Sequence, residues 1–203
     1  MREKLMDWGS VYQERIPVLA RVAEEIQATL AEILCGVPRI DRIATRVKAV
    51  DTFVGKAQRI DPDAGKPRYT YPLDEIQDQI GARIVVFYRS LIDPVTEKVL
   101  AEIQEVENRL KEQPALSFGY EARHLVCFIP PDIRAKHNPP LDVFELQIST
   151  LFQYAWSQAE HDVGYKPQGE LSYDDRRRMA WAAAQAWGVD LIFDKLWNRF
   201  RQA

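Results

Sequence analysis

The segment Val143-Phe-Glu-Leu-Gln-Ile-Ser149 alternates between apolar and polar residues, the period of a half-buried strand. Phe144, Leu146 and Ile148 then share one face, and Val143, Glu145, Gln147 and Ser149 share the other. A second carboxylate stands beside an apolar run earlier in the chain, in Asp78-Gln-Gln-Ile-Gly81-Ala-Arg83-Ile-Val-Val. A carboxylate beside a strand costs free energy unless something offsets the removal of its charge from water. Two of them converging would hold a divalent metal, and metals in such sites commonly handle phosphates.

The 203 residues fit one domain, or one domain with a helical appendage, and at 46% apolar and 28% charged they suffice for a sizeable core. The expected division is an N-terminal helical segment over 1–36, a catalytic core over 37–166 and a C-terminal helical segment over 167–203. A net charge of −3 supplies no general field for nucleic acid, so an anionic partner must meet a local basic patch. Cys35 and Cys127 belong to no metal-ligand spacing and are expected to be small core residues. No uncharged apolar stretch approaches a membrane span, and Met1-Arg-Glu-Lys-Leu-Met-Asp-Trp has no signal-peptide apolar region. The expected location is the cytoplasm, with no membrane partner.

Apolar residues from Leu5 to Leu34 recur at helical spacing until Gly36 and Pro38, and with Pro17 inside, one bent helix and two consecutive helices both fit. A strand is expected over 39–47, then a helix capped by Asp51 or Thr52 and running to about Arg59, and a loop over 61–67. A short helix over 72–80 leads into a strand over 81–88, which puts Asp78 at the junction. The stripe Val95, Val99, Ile103, Val106 and Leu110 predicts an amphipathic helix over 92–111. Strands are expected over 119–129 and 141–148, separated by a Pro-rich loop that carries Lys136 and His137. Helices are expected over 150–163 and over 172–201, the latter open to a break at Gly188. The order is that of a mixed α+β chain, with helices flanking a small central sheet.

Several groups of residues carry chemistry, and each alone has an ordinary structural explanation. Glu145 and Gln147 fit a solvated strand face, Asp78 a helix end, and Arg83 a pairing with a nearby carboxylate. Tyr120 and His124 share a strand face in Gly119-Tyr-Glu-Ala-Arg-His124, where they could stack a base and contact a phosphate, or serve as a core aromatic and a satisfied histidine. Arg46, Lys48, Thr52 and Lys56 lead from a strand into a helix start, where cations and the helix N-terminus could hold a polyphosphate. Their co-occurrence separates the functional reading from the structural one.

In order and spacing, from about Arg46 to Lys166, these segments resemble the synthetase domain of the RelA/SpoT family, whose small single-domain members are the small alarmone synthetases. Arg46, Lys48, Thr52 and Lys56 are similar to R-x-K-x-x-x-S-x-x-x-K, with Thr in place of Ser. Asp78, Gly81 and Arg83 resemble the family's D-x-x-G-x-R strand start, and Gly119, Tyr120 and His124 match G-Y-x-x-x-H. Glu145, Gln147 and Thr150 match E-x-Q-x-x-T, and Trp156, Glu160, His161, Tyr165 and Lys166 match W-x-x-x-E-H-x-x-x-Y-K.

The resemblance implies a nucleotidyltransferase-like fold and transfer of the β,γ-pyrophosphate of ATP to the 3′-hydroxyl of GDP or GTP, releasing AMP, the reaction of the stringent response. It implies Mg²⁺ on Asp78 and Glu145, with Glu145 also assisting deprotonation of the attacking hydroxyl. Arg83 joins the catalytic group, His124 contacts phosphate near the reaction centre, and Arg46, Lys48, Thr52 and Lys56 hold ATP. Tyr120 stacks on the acceptor base, with Gln147 on the acceptor side; Arg123 is an acceptor-side candidate as a stand-in for a missing family arginine, although alternation puts it on the face opposite Tyr120 and His124. The chain departs from the family's usual G-Y-R-S-x-H and E-I-Q-I-R-T at Glu121 and Ser149, which removes two positive charges from the acceptor side. Two alternatives therefore stand: the same chemistry on an adenosine nucleotide or a tRNA 3′ end, as in toxin members that pair with an antitoxin, or a degenerate nucleotide-binding module. His161-Asp162 opens a reading as a phosphohydrolase, but a site of that kind needs a further His and Asp, and the chain offers only His124 and His137 besides. Product hydrolysis is not expected. Apolar residues of the last helix, Trp181 to Phe200, suit either core packing or a homo-oligomer contact.

Overall fold

The computed structural model describes residues 7–111, 114, 117–119, 121–164 and 171–201; Tyr120, Tyr165 and Lys166 lie outside them. Its elements, in order, are α1 (Trp8–Ile33), β1 (Ile40–Val47), α2 (Val50–Ala57), α3 (Pro72–Glu75), β2 (Ile80–Val86), α4 (Ile92–Leu100), β3 (Glu105–Lys111), β4 (Ala122–Phe128), α5 (Pro131–His137), β5 (Val143–Thr150), α6 (Leu151–Gly164) and α7 (Tyr173–Arg201). Five strands form one mixed sheet in the order β1-β2-β5-β4-β3. Only β2 and β5 run parallel; the other neighbours are antiparallel.

One face of the sheet is apolar. Ile84, Leu125, Cys127, Phe144, Leu146 and Ile148 join Leu19, Val22, Ile26 and Leu30 of α1, Val95 and Val99 of α4 and Ile133 of α5 in a single buried cluster. Burying such side chains is the dominant favourable term in folding. The alternation expected for β5 is the one observed, with Phe144, Leu146 and Ile148 fully buried and Glu145 and Gln147 on the far face.

Helix α1 is continuous across Pro17 and is capped by Asp7, whose carboxylate accepts from the amides of Gly9 and Ser10. Helix α2 starts at Val50 with Ala49 as its cap, two residues before Asp51, and Ala49 makes no side-chain capping bond. Helix α7 passes through Gly188 unbroken. Three expectations are corrected. Cys127 is buried as expected, but Cys35, just beyond α1, is exposed and is no core residue. The stripe over 92–111 is not one helix: α4 stops at Leu100 and the chain returns as the strand β3. Val106 and Leu110 fit a helical period by coincidence, and pairing with β4 decides the outcome, an instance of tertiary context overriding local pattern. The segment with Lys136 and His137 is not a loop but α5, with Pro131 in its first turn and Asn138 in the left-handed conformation closing it. Lys136 and His137 both pair with Glu25 of α1, at 2.5 and 2.7 Å, which ties α5 to the apolar-side layer.

Helix α7 reaches the C-terminal ends of the central strands through Asp190, which is only 1% exposed and accepts from the Thr150 hydroxyl at 2.5 Å. Burial pushes the Asp190 carboxyl up to about 6, against the Thr150 hydrogen bond and the charge of Arg89, with Asp194 and Glu121 adding to the rise. A carboxyl with a higher value in the folded than in the unfolded state favours folding fully at low pH. That contribution is lost as pH climbs from the ordinary 3.8 through about 6. Replacing Asp190 by Asn removes the penalty, so urea unfolding should show the variant more stable at pH 8 by up to about 3 kcal/mol, with the gain gone near pH 4. An equal gain at both pH values would contradict this account.

Candidate active site

The second face of the sheet carries the polar residues, and register places them in rows. Arg46, Gly81, Glu145 and Val126 lie side by side across β1, β2, β5 and β4. The next row holds Ala44, Arg83, Gln147 and His124, with Arg109 of β3 beyond. Gly81 leaves space between Arg46 and Glu145: a Cβ there would lie 3.7 Å from Arg46 Nε. A small cavity of about 100 Å³ opens at this point, lined by Arg46, Gly81, Arg83, Glu145, Gln147 and Tyr154.

Asp78 is brought to the face by a tight turn just before β2. The buried side-chain amide of Gln79 donates to the carbonyls of Leu73 and Ile76 at 2.8 and 2.9 Å, and the Gln79 carbonyl accepts from the Lys48 amide at 2.9 Å. The same contacts therefore fix Asp78 and Lys48 relative to one another. Helix α1 reinforces this: the Tyr12 hydroxyl donates to the Lys48 carbonyl, and its ring stacks on Phe53 of α2.

Two linked networks result. Asp78 meets the ammonium groups of Lys48 and Lys56, each at 2.9 Å. Burial works against its ionisation, but the hydrogen bonds and charges of Lys48 and Lys56 outweigh that cost and hold the carboxyl below the usual range. Glu145 lies 3.3 Å from His124 Nδ1 and accepts from Gln147 Nε2 at 3.0 Å; Gln147 Oε1 in turn accepts from Arg83 at 3.3 Å. Arg83 lies over the Tyr154 ring of α6. Burial again opposes ionisation of Glu145, and His124 more than compensates, while the negative charge of Asp78 acts in the opposite sense. Both carboxylates are thus ionised at neutral pH and electrostatically coupled.

They share a cleft of about 720 Å³ with Lys56, Arg68, Tyr69, Glu107, Arg109 and His124. A second hollow of about 480 Å³ adjoins it, lined by Lys48, Thr52, Lys56, Arg59 and Asp78. A divalent cation of the magnesium kind takes one or two protein carboxylates and fills its remaining positions with water and substrate phosphates, and the pair Asp78 and Glu145 fits that demand. Among the described residues no group of three or more His, Cys, Asp or Glu gathers to hold a metal, so the remaining ligands would come from substrate and water.

Nearly all the expected site residues with described positions meet here: Glu145, His124, Gln147 and Arg83 in one hydrogen-bonded group, Asp78 with Lys48 and Lys56 in the other, and Arg46 and Thr52 beside them. Arg123 does not. It lies on the opposite face, bonded to Asp93 of α4 and to Asn108, so alternation along β4 turns it away from the cleft. Glu121 pairs with Arg89 at 3.0 Å, and Ser149 is fully buried. His161 and Asp162 are exposed on α6. Sequence reasoning missed Glu107 and Arg109, which share a face of β3, because a helical reading of that segment hides the alternation.

Fold and face together bring basic and acidic side chains into one cleft on a mixed sheet. The chain belongs to the RelA/SpoT family: the model of the region found in RelA and SpoT proteins matches residues 45–170. Small alarmone synthetase 1 from Bacillus subtilis has a similar structure, with a TM-score of 0.77 and 24% identity over 95% of this chain and 98% of that one. The same protein bound to its product pppGpp gives 0.73 at 24% identity, covering 93% and 97%. Bound to AMPCPP it gives 0.74 at 22% identity, covering 96% and 100%. At these identities the likeness establishes the shared fold. No curated protein matches the chain.

Replacing His124 by Gln should raise the Glu145 pKa in metal-free protein, because burial then acts without its main opponent. Carboxyl NMR titration reads this directly, and an unmoved Glu145 would show that His124 does not set its charge.

Proposed function

We propose that this protein transfers the β,γ-pyrophosphate of ATP to the 3′-hydroxyl of GDP or GTP, giving AMP and ppGpp or pppGpp. The observation that carries the reading is the meeting in one cleft of Asp78, paired with Lys48 and Lys56, and Glu145, held by His124 and by Gln147 with its Arg83 partner, in a chain of the RelA/SpoT family. Support for the nucleotides comes from the fold shared with a synthetase that binds pppGpp and AMPCPP.

In this reading the acceptor 3′-oxygen attacks the β-phosphorus of ATP, the bond from that phosphorus to the α–β bridging oxygen breaks, and AMP leaves. Glu145, ionised and held in place by Gln147 and His124, takes the hydroxyl proton. Lys48 and Lys56 exchange carboxylate oxygens of Asp78 for phosphate oxygens as the triphosphate arrives, and Arg46 and Thr52 line its path. Tyr120 supplies the stacking surface for the acceptor base, and His124 meets phosphate. Mg²⁺ held by Asp78 and Glu145 would neutralise charge on the transferred group. Positioning and charge neutralisation are most of what phosphoryl transfer asks of a protein. The reading places the enzyme in guanosine tetraphosphate synthesis, in the cytoplasm.

Incubation with Mg²⁺ and γ-labelled ATP plus GDP, GTP, AMP, ADP or deacylated tRNA, each alone, tests it. Label on GDP or GTP is expected. Label on an adenosine nucleotide or tRNA would redirect the same chemistry to another acceptor, and nucleotide binding with no transfer would mark a degenerate module. Glu145→Gln should lower turnover at least about 100-fold with unfolding temperature unchanged within a few degrees, the scale for loss of a general base. Tyr120→Ala should raise the acceptor KM about tenfold, as expected for the loss of one stacked base, and leave the ATP KM in place. Equal changes in both constants would remove Tyr120 from the acceptor side.

A further inference from the structure

Helix α7 lies outside the matched region 45–170, yet one of its turns touches one side of the segment that leads into β4 and reaches the other through a chain of hydrogen bonds. Trp187 packs edge-on against Phe118, with ring centroids 5.7 Å apart. Three residues further along, buried Asp190 accepts from the Thr150 hydroxyl. Thr150 caps α6 by accepting from the Gln153 amide at 3.2 Å, and the Gln153 side-chain oxygen accepts from the Glu121 backbone N–H at 3.3 Å. The Glu121 carboxylate is tied to Arg89, and the neighbouring Ser90 amide donates to Asp194, one turn beyond Asp190. Phe118 and Glu121 are therefore held from the same stretch of α7, and Gly119 and Tyr120 are the two residues between them.

We propose that the turn of α7 from Trp187 to Asp194 is a positioning element for acceptor binding. It acts through Trp187 on Phe118, and through Asp190, Thr150 and Gln153 on the backbone of Glu121. The proposal rests on the acceptor role proposed above for Tyr120, which precedes β4 in the chain. No atom of the chain from Asp190 to Glu121 touches the reacting groups; its effect is to restrict where the acceptor platform sits. The ATP side, built from β1, α2 and the turn before β2, shares none of these contacts. Loss of the chain should therefore weaken acceptor binding selectively.

The test compares Trp187→Leu, Gln153→Met, Asp190→Ala and Asp190→Asn by hydrogen exchange of the 117–124 segment and by the two Michaelis constants. Trp187→Leu, Gln153→Met and Asp190→Ala should each speed exchange there and raise the acceptor KM about five- to tenfold, the scale of one hydrogen bond or one ring contact. Exchange in α2, the ATP KM and kcat should stay within about twofold. Asp190→Asn should keep the parent's acceptor KM and show no faster exchange at 117–124, because its amide oxygen still accepts from Thr150. Unchanged exchange at 117–124, or both Michaelis constants rising together, overturns the proposal. Trp187 is only half buried, so its variant carries the test even where a core substitution fails to fold. Faster exchange in protein that transfers to no acceptor faults the activity and not the positioning; unchanged exchange in active protein faults the positioning alone.

Discussion

The parallel pairing of β2 with β5 is the constraint on which the rest depends. Gly81 lies opposite Glu145 and Arg83 opposite Gln147, so two segments far apart in sequence deliver both carboxylates to one face. A slip of one residue would turn Glu145 into the apolar layer and Phe144 out of it. The buried side chains Ile84, Leu146 and Ile148 oppose such a slip, because each would lose its place against α1 and α4. The hydrophobic layer thereby fixes the position of charges that it never touches.

Much of this arrangement is legible in the linear chain, for a physical reason. Alternation in Val143 to Ser149 is imposed by the pleat, and the turn residues before Gly81 mark where a strand begins, so Glu145, Gln147 and Asp78 can be placed from local pattern alone. What hides is whatever long-range pairing decides. Glu105 to Lys111 carries Val106 and Leu110 at a helical interval, and only the open edge of β4 converts it into a strand. Pro131 to Asn138 contains two of the residue types that usually mark a loop end, yet Pro suits a helix start and Asn138 tolerates a left-handed close. Arg123 was an acceptor candidate by residue type, and the strand's own alternation, with Asp93 waiting on the other side, places it away from the cleft.

The two departures in charge also look different once neighbours are visible. Glu121 carries no bare negative charge, since Arg89 meets it at 3.0 Å. Ser149 is buried at the end of β5, where α6 begins, so its small side chain belongs to the junction between sheet and helices. The altered positions form part of the joint between the catalytic sheet and α7, where Asp190 and Asp194 add their own negative charge.

Strand β3 forms one wall of the cleft through Glu107, Arg109 and Leu110, and among the described residues it is paired on one side only, with an irregular step between Glu105 and Glu107. A strand held by a single ladder separates from its sheet at lower cost than one held by two. The opposite wall is anchored by α1 through Tyr12 and by paired lysines. The cleft is thus stiff on one flank and yielding on the other, like a jaw with one fixed plate. Displacement to fit a bulkier ligand would fall on β3 first, because Glu145 lies on the central strand β5 and Asp78 in the turn before β2.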